Sequence, residues 1–251
     1  MIFCAMIVLG LLLGFAGAGG AGLTITLLTV GFGISIHTAL GVALAAMSFT
    51  MLSGAISHFR EGDVLLRLGL TTGVAGIAGA FFGAQVSDAL PGEILSKLTA
   101  ALMLASSVLL YFILFRKDLL DGFVAKHKSE AEGASFYAHA LAIGVVTGFL
   151  SGAFGIGATA FIQISLMLFF GISLYHAIGT TMLVILPISL SGGLGYLLNG
   201  HLDWYIFVQT LGGLTIGAYF GAKLTRLASR NVLRYIVLSM PTIGGLLLLC
   251  K

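Results

Sequence analysis

Long apolar runs separated by brief polar punctuation fill nearly the whole chain, at residues 2–32, 36–58, 64–87, 92–115, 138–170, 174–198, 203–225 and 229–250. Six of them have the length of one helical crossing, about 20 residues for a hydrocarbon layer about 30 Å thick. The first run of each half is too long. A continuous helix of some 33 residues would reach about 50 Å at about 1.5 Å per residue. Each of the two is interrupted by glycines, at Gly17-Ala18-Gly19-Gly20-Ala21-Gly22 and at Gly152-Ala153-Phe154-Gly155-Ile156-Gly157. They read as helix, glycine break, helix. The pattern predicts an all-α integral membrane protein.

The runs also repeat. Gly33 to about Met103 and Gly171 to about Pro241 are one segment written twice at an offset of 138 residues. Gly33-Ile34-Ser35 matches Gly171-Ile172-Ser173, Gly41 matches Gly179, and Leu52-Ser53-Gly54 matches Leu190-Ser191-Gly192. Gly62 matches Gly200, and Gly79-Ala80-Phe81-Phe82-Gly83-Ala84 returns as Gly217-Ala218-Tyr219-Phe220-Gly221-Ala222. Upstream, Gly17, Gly20 and Gly22 answer Gly152, Gly155 and Gly157 at an offset of 135. Duplication of this kind in an apolar chain points to a transporter. The chain divides into a first repeat at 1–115, a charged cytoplasmic linker at 116–137 and a second repeat at 138–251.

Composition narrows the class. With 59% hydrophobic and 8% charged residues, the chain cannot coat a soluble globule with polar surface. All nine carboxylates fall in or beside loops, so no acid is expected in the hydrocarbon core. The first apolar run, ending at Ala16-Gly17-Ala18, has the look of a cleaved signal peptide. It is read as structure instead, because no basic residue precedes it and its glycine pattern recurs internally. Cys4 and Cys250, at opposite ends of the chain, suggest no metal or redox motif. The net charge of +3 comes from loop lysines and arginines; it reports orientation and implies no nucleic-acid partner.

Those basic residues predict sidedness. Arg60 and Arg67 flank the loop near residue 60, and Arg116, Lys117, Lys126 and Lys128 fill the linker, which places both in the cytoplasm. The loop near residue 200 has no Lys or Arg, whereas Lys223, Arg226, Arg230 and Arg234 crowd the next. Passing from inside at 137 to outside at 200 takes an odd number of crossings, of which 174–198 supplies one. The segment 138–170 must then turn back on its own side, and 2–32 likewise, entered from outside. Each repeat is thus a re-entrant glycine-broken hairpin plus three crossings, the two repeats are inverted, and both termini lie outside. The alternative lets each broken segment span, giving eight crossings and parallel repeats, at the cost of four basic residues outside.

Candidate chemistry sits at the breaks. Irregular backbone at membrane depth must be buried in protein or line a cavity, because unpaired backbone groups are costly in lipid. The helix resuming after each break offers free N–H groups and a positive dipole end, an anion site made of backbone. Gly20, Gly22, Gly155 and Gly157 would supply the amides, with Thr24, Thr159, Gln163, Thr180 and Thr181 completing the shell. Close helix packing is the competing reading of the glycines, and it is preferred for Gly79 to Gly83 and Gly217 to Gly221. His176 is a proton-coupling candidate, one turn from two hydroxyls. Pro187 either kinks its helix or frees a carbonyl near Leu183. Ser48, Thr50, Ser53, Ser189 and Ser191 either line a pathway or bond back to their own helices.

The tract Gly148-Phe149-Leu150-Ser151-Gly152-Ala153-Phe154-Gly155-Ile156-Gly157, the following His176-Ala177-Ile178-Gly179-Thr180-Thr181 and the twofold repeat resemble the sulfite exporter TauE/SafE family of membrane permeases. The resemblance spans nearly the whole chain and implies transport of small anions such as sulfite, sulfoacetate or related sulfonates. The family's usual Gly-Thr-Ser tract reads Gly179-Thr180-Thr181 here and Gly41-Val42-Ala43 in the first half. Hydroxyl coordination would then come mainly from the second half.

The expectation is a secondary transporter of the prokaryotic inner membrane, moving a small anion by rocking one half against the other. Coupling is to protons, to sodium or to neither. An anion channel and a non-transporting membrane accessory protein remain as alternatives. An enzyme is not expected, since no catalytic triad, paired carboxylates or metal-ligand cluster occurs within the apolar runs, and no cofactor is implied.

Overall fold

The computed structural model describes residues 1–16, 21–115, 133–156, 158–225 and 230–250, and its described residues are helices joined by short turns. The first half holds α1 (Ile2–Ala16), α2 (Ala21–Thr26, prolonged as a π-helix over Leu27–Gly31), α3 (Ile36–Glu61), α4 (Leu66–Asp88) and α5 (Gly92–Phe115). The second holds α6 (Ala134–Phe154), α7 (Thr159–Phe170), α8 (Leu174–Leu198), α9 (Trp204–Thr225) and α10 (Arg230–Leu249). Among the described residues, five helices are long and apolar enough to cross a membrane. Gly17 to Gly20, Gly157 and most of the linker lie outside the described residues.

Local chemistry sets the helix ends at matching places in the two halves. Ser35 and Ser173 are N-caps, accepting from the N–H groups of Thr38 and His176. Gly62 and Gly200 take left-handed φ values of 81° and 76° where the chain leaves α3 and α8. Asp203 starts α9 by accepting from the N–H groups of Tyr205 and Ile206 at 2.9 and 3.0 Å. α6 begins at Ala134, inside the stretch the sequence assigned to the linker. Its first turn is held by His139 Nδ1, 2.8 Å from the Ser135 carbonyl oxygen, and by the Phe136 ring, 5.3 Å from that of Phe170.

Packing between the halves recurs with partners exchanged. α4 lies against α6, and α9 lies against α1. A Cβ on Gly79 would stand 2.8 Å from Phe149 N, and one on Gly217 would stand 2.7 Å from Leu11 N. These glycines are therefore backbone-to-backbone contacts, as their four-residue spacing predicts. α3 and α8 pair in opposite directions, with Gly41 against Tyr196 and Gly54 against Met182. A Cβ on Gly54 would stand 2.6 Å from Met182 Sδ, and one on Gly192 would stand 3.0 Å from Leu44 Cδ1, the same contact 138 residues on. α5 and α10 are likewise opposed: Gly245 meets Ala100, and Phe115 meets Tyr235.

α4, α6 and α8 run side by side in one direction, Gly73 lying at Pro187 and Gly83 at Ala153. The end where these three begin is called the near end below, and the opposite one the far end. Pro187 sits within a continuous α8 and turns its ring onto Gly73, whose missing Cβ makes the room. Large apolar side chains such as Phe82, Leu190, Tyr219 and Phe220 face outward around the bundle, a surface suited to lipid.

Candidate functional site

The segment carrying the second glycine break doubles back. α6 runs from the near end to the far end; its 21 residues span about 32 Å, enough to cross the bilayer unaided. After the break α7 returns, so that Phe170 comes to rest on Phe136 and Phe169 on His139, each pair with ring centroids 5.3 Å apart. The turn is made by Gly155 at φ 64° and by Ala158, the one described non-glycine residue with positive φ, at 46°. For alanine this conformation is unfavourable by about 1–2 kcal/mol, so its neighbours must hold it.

Gly155 stands toward the far end against Leu40 and Ile25; a Cβ there would lie 3.1 Å from Ile25 Cδ1. α2 thus flanks the break between α6 and α7. Ala21 and Ala158, which adjoin the starts of α2 and α7, belong to one buried apolar cluster with Met47, Val184, Ile185 and Ile188. Gly22 packs on Met103 of α5, and Thr24 is buried on the second turn of α2. Gly20 and Gly157 are outside the described residues.

The hydroxyls of the second half have distinct surroundings. Thr159 opens α7, and its buried Oγ1 has no hydrogen-bond partner. The amides of that first turn lack intrahelical acceptors by helix geometry, the first ladder bond there being Ile162 N–H to Ala158 O at 2.9 Å. Gln163 follows one turn later, half-buried. α7 packs on α8, where Thr181 is buried and its Oγ1 is also unpartnered. Thr180 is engaged structurally: its Oγ1 accepts the Leu65 N–H at 3.1 Å, docking the turn before α4 onto α8. His176 lies in the first turn of α8 at the near end, half-buried, with Nδ1 2.8 Å from Ser173 Oγ.

Other polar groups were not singled out by sequence reasoning. Ser151, fully buried one turn before Gly155, has an unpartnered hydroxyl, as do Thr72 and its repeat counterpart Thr210. Tyr196, wholly buried in α8, donates to Ser87 Oγ at 2.7 Å and stands 3.4 Å from the Ala153 carbonyl oxygen at the end of α6. A lone tyrosine in an apolar run gives no sign of partners 109 and 43 residues away. Ser48, Thr50 and Ser189 bond back within their own helices, while Ser191 donates across to Ile77 O at 2.9 Å.

Comparison with known proteins finds relatives along nearly the whole chain. The family model for the sulfite exporter TauE/SafE matches residues 2–248. The chain is 45% identical over 251 residues to a protein of Bacillus subtilis (strain 168) named probable membrane transporter protein YdhB, covering 99% of each. It is 25% identical to the probable membrane transporter protein YunE of the same organism, covering 100% of this chain and 97% of that one. A probable membrane transporter protein of Xylella fastidiosa (strain 9a5c) is 28% identical, over 90% of this chain and 85% of its own length. No solved structure matches significantly.

Proposed function

We propose, from the premise that this chain belongs to the sulfite exporter TauE/SafE family, that it is a secondary transporter, acting as an exporter of small anions such as sulfite, sulfoacetate or related organosulfonates. Its substrate site lies where the break between α6 and α7 meets α2. The observation carrying this reading is the start of α7. A left-handed turn at Gly155 and Ala158 delivers a helix N-terminus whose first hydroxyl, Thr159 Oγ1, is buried without a partner. An anion there would accept from that hydroxyl and from first-turn amides, with the helix dipole favouring negative charge. Gly22, Gly155, Gln163 and Thr181 would complete the shell, together with Gly20, Gly157, Thr24 and, through its remaining hydroxyl hydrogen, Thr180.

Alternating access between two inverted repeats suits the packing. Contacts that recur at a 138-residue offset with partners exchanged, around an α3–α8 pair that runs antiparallel, support a pseudo-twofold axis lying in the membrane plane. The protein would sit in the plasma membrane with both termini outside and the linker in the cytoplasm.

Counterflow tests the reading. Proteoliposomes preloaded with unlabelled sulfite should transiently accumulate labelled sulfite, and sulfoacetate, sulfate, thiosulfate and lactate preloads would rank the substrates. Flux without counterflow would identify a channel. No flux from folded protein, with any preload, would identify an accessory role.

A further inference from the structure

At the far end, where α3 begins and α4 and α8 finish, three titratable side chains from both halves meet. His201 Nε2 lies 2.6 Å from Asp88 Oδ1. The His37 ring stacks on that of His201, with centroids 5.0 Å and planes 28° apart. His37 Nε2 stands 3.1 Å from the Ser87 carbonyl oxygen and 3.2 Å from that of Leu90. Carbonyls only accept, so this nitrogen carries a hydrogen. Ser87 in turn receives the Tyr196 hydroxyl, and Tyr196 reaches the Ala153 carbonyl beside the glycine break. The cluster is therefore joined to the proposed substrate site through buried Ser87 and Tyr196.

Asp88 alone balances the two rings. Asp203, in the same loop as His201, is taken up by the N–H groups of Tyr205 and Ile206. Glu93 and Lys97 on α5 are exposed and make no described ion pair with the cluster. The end of the α2 segment and the first turn of α3 bring no charged side chain. A protonated His201 makes a charge-assisted bond to Asp88, about twice as strong as a neutral one, and this bond ties the first half to the second. The near end is fastened differently. The counterparts of His201 and His37 are Asp63 and Tyr175, and the ties between halves there are the Leu65 N–H to Thr180 bond at 3.1 Å and the Arg67 guanidinium, which donates to the Tyr137 hydroxyl oxygen at 3.0 Å and keeps its charge at every working pH.

We infer that His201 and Asp88, stacked on His37, form a proton-binding site that latches the far mouth closed when loaded and releases it when empty. This inference rests on the alternating-access reading above and names the hydrogen ion as the ligand that governs one of its gates.

The test needs no transport, so it can fail or succeed independently of the substrate reading. Gly92→Cys places a thiol beside the cluster in ordinary contacts, since a Cβ there would lie 3.5 Å from Ile36 Cγ2 and 4.0 Å from His37 Cε1. In a Cys4→Ser, Cys250→Ser background, its labelling by a membrane-impermeant maleimide is measured in proteoliposomes from pH 5.5 to 8.5. Rates are normalised to Tyr205→Cys, an exposed position at the same end. The ratio should rise about threefold or more between the two ends of this pH range. Asp88→Asn should label fast at every pH, and if it does not fold, His201→Gln carries the same expectation. A flat wild-type ratio, or a wild-type slope in the folded variant, overturns the proposal.

Discussion

The Tyr196 hydroxyl donates to Ser87 Oγ at 2.7 Å, joining α8 to α4 deep in the bundle where neither side chain meets solvent. Tyr196→Phe keeps the ring but leaves Ser87 without this donor and the Ala153 carbonyl without its neighbouring hydroxyl. The expected cost is about 1–3 kcal/mol, seen as a lower thermal unfolding temperature in detergent. Tyr196→Ala should cost more, about 3–5 kcal/mol, because it also opens a cavity.

The two interlocked glycine seams should respond alike. Gly79→Ala and Gly217→Ala each push a methyl into the backbone of the facing helix, at Phe149 and at Leu11. Both should lower the yield of monodisperse protein and destabilise by about 1–3 kcal/mol or more. Gly200→Ala meets nothing within 4 Å, so its left-handed φ of 76° is the sole penalty, about 1–2 kcal/mol. Size-exclusion profiles and thermal scans of the three variants make the comparison, and unequal effects at Gly79 and Gly217 would argue against equivalent interfaces.

Two threonines separate transport from stability. Thr159→Val removes a buried hydroxyl that has no partner, so folding should be unchanged or slightly improved while counterflow falls about tenfold, the value of one hydrogen bond of about 1.4 kcal/mol to the anion. Thr180→Val deprives the Leu65 N–H of its acceptor and should destabilise by about 1–3 kcal/mol. Normal counterflow by folded Thr159→Val would remove that residue from the site.

Sidedness follows from the distribution of basic residues. Reporter fusions after Gly200 should be active as exterior fusions, and fusions after Ser229 as interior ones. The reverse pattern would invert the assignment of both termini.

Helix existence and extent were legible in the chain. The apolar run 64–87 differs from α4 by two residues at its start and one at its end, and the run 174–198 coincides with α8, because glycines and polar turns bound them. The start of α6 was not legible: Ala134 to Tyr137 looks like linker until Phe136 is seen to pack on Phe170, a contact made only when α7 returns. At the site, the glycine breaks were visible as over-long runs interrupted by small residues. The difference between Thr180 and Thr181 was not. Adjacent helical residues point about 100° apart, and which one meets Leu65 depends on a turn 115 residues away.

Hydropathy, duplication and glycine spacing thus pointed by themselves to a helical membrane protein whose sequence is written twice, with an over-long, glycine-interrupted apolar run in each copy. These are local properties, dictated by the length of an apolar run and by what glycine permits the backbone. The tertiary structure alone decided that α6 runs unbroken for a length sufficient to cross a bilayer before its break, that the break rests against α2, and that His37, Asp88 and His201 form one cluster. Each depends on side chains far apart in the chain being placed within a few ångströms by helix packing, and no spacing along a single run encodes that.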